Sequence, residues 1–138
     1  METEARIAVR KWVQRAIALY EGSGEEKVLS EISNPSGRFI HGDLYIYALD
    51  SSGIMLAHPV ESRFTGKLMV DLKDSDGKAF IRKIVDISSN KGYGYADYKW
   101  HKPGSKKESC KTVFFERIDG IIFCSGFYPI NESPLKTK

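Results

Sequence analysis

The sequence lacks any apolar run that approaches the about 20 residues needed for a membrane-spanning helix. Its first four residues include two glutamates, whereas a secretory signal begins with a basic segment. The chain as written is therefore expected to be soluble. This expectation suits a cytoplasmic protein as well as a soluble piece of a longer membrane protein, so the localisation stays open.

A strong net charge is also missing. The 138 residues include 21 Lys and Arg against 18 Asp and Glu, which gives a net charge of +3. Nucleic-acid-binding proteins concentrate basic residues on one face, so no nucleic-acid partner is expected. Apolar residues make up 41% and charged residues 28%, which is ordinary globular usage. We expect one domain that covers residues 1–138.

Motifs of catalysis and metal binding are absent as well. There is no Gly-x-Ser-x-Gly elbow and no phosphate-binding loop, and Gly92 opens no complete dinucleotide motif. The acidic segment 71–77 does not align with a calcium loop. His41, His58 and His101 lack metal-ligand spacing, although His41 could pair with Asp43 on a surface. The sequence therefore predicts no enzyme, no cofactor and no metal.

Only two cysteines are present, Cys110 and Cys124. They lie in two apolar runs on either side of Asp119-Gly120, a dipeptide that favours a β-hairpin turn. In that hairpin Cys124 lies opposite Phe115, roughly 16 Å along the strand from Cys110. A disulfide needs Cα atoms within about 7 Å, so free thiols are predicted; a slipped register would restore the bridge.

The spacing of apolar residues predicts three helices. A three-and-four spacing runs from Ala5 to Tyr20, with Gly22 as its stop. Ser23 with Glu26 is a capping box for a short second helix. A third amphipathic helix is expected over residues 78–89, capped by Asp74 or Asp76.

Strand-like runs occupy residues 44–49, 54–58, 93–100, 111–118 and 121–128, and short turns join several of them. This order predicts an α+β fold, with an antiparallel sheet and helices packed on a face. The intervening polar segment 59–76 contains scattered apolar anchors. Segments of this length in small domains are often functional.

Aromatic and cationic residues meet at the strand ends. Tyr98 and Trp100 share one face of a strand, and pairing across the next loop with Trp100 opposite Lys111 would set an ammonium beside an indole. Such a site could hold a small carboxylate on Lys111, orient it with Tyr98 and enclose its apolar part with Trp100. Ordinary cross-strand packing with a snorkelling lysine is the alternative.

The sequence also resembles the single-Cache family of small-molecule sensor domains over nearly its whole length. The matching pieces are, in chain order, Gly42-Asp43-Leu44-Tyr45-Ile46-Tyr47, Asp50-x-x-Gly53, Leu56-Ala57-His58-Pro59, Gly66-Lys67, Asp74-x-Asp76-Gly77-Lys78-x-Phe80, Gly92-x-Gly94, Tyr98-x-Trp100-x-x-Pro103, Lys111 and Ser125-Gly126-x-Tyr128. The resemblance implies a PAS-like antiparallel sheet of about five strands. A long N-terminal helix covers one face, and a ligand cavity lies on the other.

The resemblance further implies a non-enzymatic sensory domain in signal transduction or chemotaxis. Its expected partners are a small organic anion, such as acetate, propionate, pyruvate or lactate, and a signalling module, and a homodimer is possible. The implied ligand-binding residues are His58, Tyr98, Trp100, Lys111 and, by a weaker match, Tyr47. Membership of a receptor would make the location extracytoplasmic.

Two departures accompany the resemblance: Cys110 stands where the family often has proline, and His101-Lys102 adds positive charge before Pro103. The alternative function is a PAS-like interaction or dimerisation module whose cavity is filled by side chains. The candidates for that filling are Phe64, Phe80, Phe114, Phe115 and Phe127.

Overall fold

The computed structural model of the chain describes residues 3–129. The helices are α1 (Glu4–Ser23), α2 (Glu25–Ser33) and α3 (Phe80–Lys91), and a short 3₁₀ turn covers Ser62–Phe64. The strands are β1 (Ile40–His41), β2 (Leu44–Asp50), β3 (Met55–Ala57), β4 (Tyr93–His101), β5 (Glu108–Ile118) and β6 (Ile121–Phe127). The single domain expected over residues 1–138 includes residues 1–2 and 130–138, which lie outside the described part.

The strands form one antiparallel sheet in the order β1-β2-β6-β5-β4, and β3 pairs with β2 at the same edge as β1. The α+β class and the PAS-like architecture predicted from the sequence are confirmed. The sheet has six strands where about five were expected. The difference is β1, a two-residue strand that is too short to produce a recognisable alternation.

Helix α1 packs on one face of the sheet through its apolar stripe. Val9, Val13 and Ala16 are fully buried there, against residues such as Ile46 and Phe123. At the start of the helix, the Thr3 hydroxyl accepts a hydrogen bond from the Arg6 backbone N–H at 3.2 Å. This cap satisfies one of the free N–H groups of the first turn.

The boundary between α1 and α2 differs from the prediction. The first helix continues past Gly22 to Ser23, and its C-cap is Gly24, whose φ of 92° lies in the region that favours glycine. Gly24 is also the N-cap residue of α2. The expected capping box of Ser23 with Glu26 is therefore not formed. One glycine thus ends one helix and begins the next.

Helix α3 lies against the opposite face of the sheet and buries Phe80, Ile81 and Ile84. It begins at Phe80, two residues later than expected, and no side chain caps it. Asp74 instead accepts hydrogen bonds from the backbone N–H groups of Asp76, Lys78 and Lys99. The carboxylate therefore fastens the preceding turn to β4 instead of capping the helix.

The β5–β6 hairpin has the predicted register, with Ile118 opposite Ile121 and Phe115 opposite Cys124. Both cysteines are free, Cys110 exposed and Cys124 buried. The slipped register that would have allowed a disulfide is therefore excluded. The expected hairpin geometry is confirmed.

The β4–β5 register was predicted wrongly by two residues. Lys111 lies opposite Tyr98, while Trp100 lies opposite Ser109. The reason is that β5 begins at Glu108, three residues earlier than expected, so the connecting loop is shorter and the pairing shifts. Lys111 thereby lies deeper in the sheet than the predicted pairing would have placed it.

We predict that Gly126→Ala destabilises the fold. A Cβ at Gly126 would lie 2.7 Å from Val113 Cγ2, 2.8 Å from Lys111 Cε and 2.9 Å from the Thr112 carbonyl oxygen. The backbone oxygen cannot move aside, so the free energy of unfolding should fall by about 1–3 kcal/mol in denaturant titrations.

Gly120→Ala is the matched control, because nothing lies within 4 Å of its added Cβ. Its free energy of unfolding should stay within about 0.5 kcal/mol of wild type. Equal stabilities for the two variants would contradict the tight packing at Gly126.

Candidate functional site

A cavity lies on the α3 side of the sheet, beneath α3 and the segment that follows β3. Its lining residues are Tyr45, Tyr47, Met55, His58, Phe64, Leu72, Phe80, Ile81, Tyr98, Trp100 and Lys111. The recess contains about 270 Å³ of space between atoms, including its open mouth, but only about 20 Å³ can hold the centre of a water-sized molecule. The free space in the cavity therefore corresponds to about one water molecule.

Lys111 is the cationic residue of this cavity. It is 2% exposed, and its Nζ donates a hydrogen bond to the Tyr45 hydroxyl at 2.9 Å. The ring centroids of Tyr45, Tyr47, Tyr98 and Tyr128 lie 4.3, 5.8, 5.9 and 5.4 Å from Nζ. Within residues 3–129, no carboxylate lies within 4 Å of this nitrogen. Burial lowers the pKa of Lys111 to about 7.

His58 follows β3 and is held by its own backbone. Its Nδ1 accepts hydrogen bonds from the backbone N–H groups of Val60 at 3.1 Å and Glu61 at 2.9 Å. An Nδ1 that accepts carries no proton, so Nε2 is the protonated nitrogen of the neutral ring. Burial, and then the charge of Lys111, lower the pKa of His58 to about 3. His58 is therefore a neutral donor through Nε2.

The hydroxyl groups of Tyr47 and Tyr98, two residues that line the cavity, form a hydrogen bond of 3.0 Å. The Tyr47 ring stacks on His58, with a centroid separation of 5.3 Å, and Tyr98 stacks on Phe80 at 3.8 Å. Burial raises the pKa of both phenols, so they remain neutral hydroxyl groups. Tyr47, the weaker match among the predicted site residues, lines the cavity and is also part of the hydrophobic core.

Trp100 forms a wall of the cavity and is partly buried. Its ring contacts Phe64 and Phe80 at centroid distances of 6.2 and 5.6 Å. Because of the register change it does not face Lys111 across the strands. Tyrosine rings surround the ammonium, where the sequence predicted an indole.

At the mouth, Glu61 connects the segment after β3 to the end of β4. Its carboxylate lies 3.1 Å from His101 Nε2 and 3.1 Å from Arg63 Nε. The Tyr128 hydroxyl donates to the His101 carbonyl oxygen at 2.9 Å, and Lys102 Nζ lies 5.7 Å from the Tyr128 ring centre. The side chains of His101 and Lys102 thus contact Glu61 and Tyr128, respectively.

All five residues predicted for the site line the cavity: His58, Tyr98, Trp100, Lys111 and Tyr47. The sequence reasoning missed Tyr45, Glu61 and Tyr128. Tyr45 could have been found, because it alternates with Tyr47 and therefore shares its face of β2. Glu61 lies in an irregular segment, where no periodicity marks it. Tyr128 ends the strand-like run 121–128 and the last of the matching pieces, so the resemblance could have identified it.

The phenylalanines that were candidates for filling the cavity lie on both faces of the sheet. Phe64 and Phe80 line the cavity and Phe115 packs in the core beside it, whereas Phe114 and Phe127 pack on the α1 side. His41 is exposed, and the described residues contain no group of three or more potential metal ligands. None of the helices described is both long and apolar enough to cross a membrane.

An antiparallel sheet with a long helix on one face and a cavity of aromatic, apolar and polar residues on the other is a PAS-like architecture. The sequence model of the Cache domain matches residues 21–128. The chain belongs to the Cache domain family.

Two curated relatives are signalling proteins. The methyl-accepting chemotaxis protein McpP of Pseudomonas putida is 28% identical over 93 residues, which cover 66% of this chain and 17% of that protein. The sensor histidine kinase MctS of Rhizobium johnstonii is 28% identical over 99 residues, 71% of this chain and 21% of that protein. The matched region is thus about a fifth of each relative's length.

Solved structures share the fold. A methyl-accepting chemotaxis protein from Vibrio parahaemolyticus has a TM-score of 0.74 and 27% identity, over 94% of this chain and 89% of that one. A Cache chemosensory domain solved for its carboxylic acid recognition has a TM-score of 0.73 and 24% identity, over 91% and 90% of the two chains. The second likeness shows the fold alone.

We predict that Lys111→Met stabilises the fold. Methionine keeps the length and volume of the side chain and removes an amine whose charge is costly to bury, so the free energy of unfolding at pH 7 should rise by about 1–4 kcal/mol. Denaturant titration and the melting temperature measure this gain.

The gain should depend on pH in one direction. Folding lowers the pKa of Lys111 from 10.5 to about 7, so the wild type loses stability as the pH falls from 10.5 to 7. The advantage of Lys111→Met is therefore greatest below pH 7 and shrinks as the pH rises. A destabilised Lys111→Met variant would show that the hydrogen bond to Tyr45 and the contacts with the tyrosine rings contribute more than the buried charge costs.

Proposed function

We propose that this chain is a non-enzymatic sensory domain that binds a short carboxylate in its cavity. The observation that carries the proposal is Lys111: a buried amine, surrounded by phenol rings, with no carboxylate of the described residues within 4 Å. A buried ammonium is costly unless a charge opposes it. An anionic ligand supplies that charge.

The neutral groups around Lys111 suit a carboxylate that has two oxygens to satisfy. His58 offers the Nε2 hydrogen, and the hydroxyls of Tyr47 and Tyr98 form a hydrogen-bonded pair nearby. Carboxylate oxygens accept such donors, and charge-assisted bonds are the stronger kind. The polar groups of the cavity therefore match the head of a short organic acid.

The opposite wall suits a short aliphatic remainder. Met55, Leu72 and Ile81 line the cavity without a polar side-chain group, and Trp100 and Phe64 close its outer side. An apolar wall of this kind gains from burying one or two methyl or methylene groups, at about 0.8 kcal/mol each. Acetate, propionate, pyruvate and lactate have the matching chemistry.

Binding requires the cavity to expand, because about 20 Å³ is room for about one water. Phe64 belongs to the irregular segment between β3 and α3, and the Glu61 contact with His101 fixes that segment to β4. We expect this segment to move outward when a ligand enters. A ligand that prefers the expanded cavity shifts the population toward it, which is the requirement for a signal.

The relatives support a place in a signalling protein. One is a chemotaxis protein and another is a sensor kinase, and a structure with a TM-score of 0.70 is a periplasmic sensor domain of a chemotaxis protein. By analogy we propose that the chain acts outside the cytoplasm as the input of such a receptor, joined to a signalling module. A homodimer is part of the same proposal.

The small cavity also favours a second candidate function. Phe64 and Phe80 both contact Trp100, and all three line a recess with little free space, as expected for an interaction module with a side-chain-filled core. The two functions differ in one measurable property, which is saturable binding of a small anion.

We predict that isothermal titration detects saturable binding of propionate or acetate. Propionamide, the neutral counterpart of propionate, should bind weakly or not at all. Lys111→Met should weaken propionate binding at least about tenfold, because it removes a charged donor. The melting temperature of the wild type should rise with propionate concentration.

Lys99→Met is the matched control. Its ammonium lies on the surface, 3.5 Å from the Asp76 carboxylate and 42% exposed, and it does not line the cavity. Affinity for propionate should be retained in this variant. Folded wild-type protein that gives no binding heat with any short carboxylate would support the filled interaction module instead.

A further inference from the structure

The cavity contains one cationic side chain among its described lining residues, which is that of Lys111. The titratable or charged groups around this side chain are Tyr45 and Tyr47 on β2, His58 and Glu61 after β3, Tyr98 and His101 on β4, Cys124 on β6 and Tyr128 beyond it, whereas α3 contributes only the apolar Phe80 and Ile81 to the lining. The charge balance of the site depends on which of these groups are ionised.

Most of these neighbours are neutral across the physiological pH range. Burial raises the pKa values of Tyr45, Tyr47, Tyr98, Tyr128 and Cys124, and it lowers the pKa of His58 to about 3. Glu61 makes its contacts with His101 and Arg63 at the mouth and not with Lys111. Among the described residues no carboxylate therefore lies within 4 Å of the Lys111 amine, and the more distant charge of Glu61 offsets only part of the effect of burial on its pKa.

Without an anion, burial lowers the pKa of Lys111 to about 7, so at pH 8 the amine is mostly neutral. A carboxylate beside Nζ favours the ammonium form by direct charge attraction. Binding of the carboxylate and protonation of Lys111 therefore favour each other. The effect follows from the enclosed geometry, in which a single amine faces a ligand that has a single charge.

We infer that a monocarboxylate enters this cavity together with a proton that Lys111 takes up from solution. This inference rests on the proposed function and adds a dependence on pH to it. Above pH 7, a sensor with this coupling responds to the product of anion and proton concentrations. The same concentration of carboxylate therefore gives a stronger response in mildly acidic surroundings than in alkaline ones.

The coupling gives a defined pH dependence of affinity. Below pH 7 the amine is already protonated, so affinity for propionate should be nearly constant while the ligand remains ionised. Above pH 7 the association constant should fall by about tenfold per pH unit, until the pH reaches the raised pKa of the complex.

Isothermal titration of the 138-residue chain with propionate, in pairs of buffers that differ in ionisation enthalpy, measures the proton directly. At pH 8, in Tris and in HEPES, the difference in binding enthalpy should correspond to uptake of close to one proton. At pH 6, in bis-Tris and in MES, uptake should be close to zero, because Lys111 carries its proton before binding.

His101 needs its own control, because its ring is a second base beside the site, 3.1 Å from the Glu61 carboxylate. In His101→Gln, proton uptake at pH 8 should persist. Its loss in that variant would assign the proton to His101 and overturn the inference. Its persistence, together with the pH 8 uptake in the wild type, supports Lys111.

The remaining outcomes separate this inference from the proposed function. Propionate binding at pH 8 with the same heat in both buffers would overturn the proton coupling and leave the carboxylate sensor in place. No saturable propionate binding by folded protein at either pH would overturn both.

Discussion

The rest of the cavity depends on the burial of one amine. Lys111 points inward from β5, and its stem passes over Gly126 on β6, where a Cβ would lie 2.8 Å from Lys111 Cε. A glycine on the neighbouring strand thus makes room for the lysine. Four phenol rings then surround the ammonium in place of a carboxylate, and this partial compensation leaves the site able to gain from an anion.

The alternation of β2 links the cavity to the helix on the other face. Tyr45 and Tyr47 point toward Lys111, while Ile46 and Ala48 between them pack in the cluster that contains α1. A shift of this strand on the cavity side therefore acts on the α1 contacts through adjacent residues. The end of α1 is also tied to the β5–β6 turn, where the Tyr20 hydroxyl donates to the Asp119 carboxylate. These contacts connect the cavity side of the sheet to α1 through few residues.

Much of the fold could be predicted because its signals are local. The spacing in α1 and α3, the alternation in β2 and the Asp-Gly turn of β5–β6 each involve residues close in sequence. The failures involve distant partners. Asp74 looked like a helix cap, but two of its three donors lie in its own turn and the third is Lys99 on β4. The β4–β5 register depended on the length of a polar loop that has no periodicity.

The sequence by itself determined the α+β class, the hairpin register, the free cysteines and a set of residues that all line one cavity. Only the tertiary structure decided that Lys111 pairs with Tyr98, that tyrosines and not Trp100 enclose its ammonium, and that Glu61 joins the mouth to His101. It also decided the pKa values of Lys111 and His58, about 7 and about 3. Burial and the distance between charges set these properties, and both arise from contacts between residues far apart in the chain.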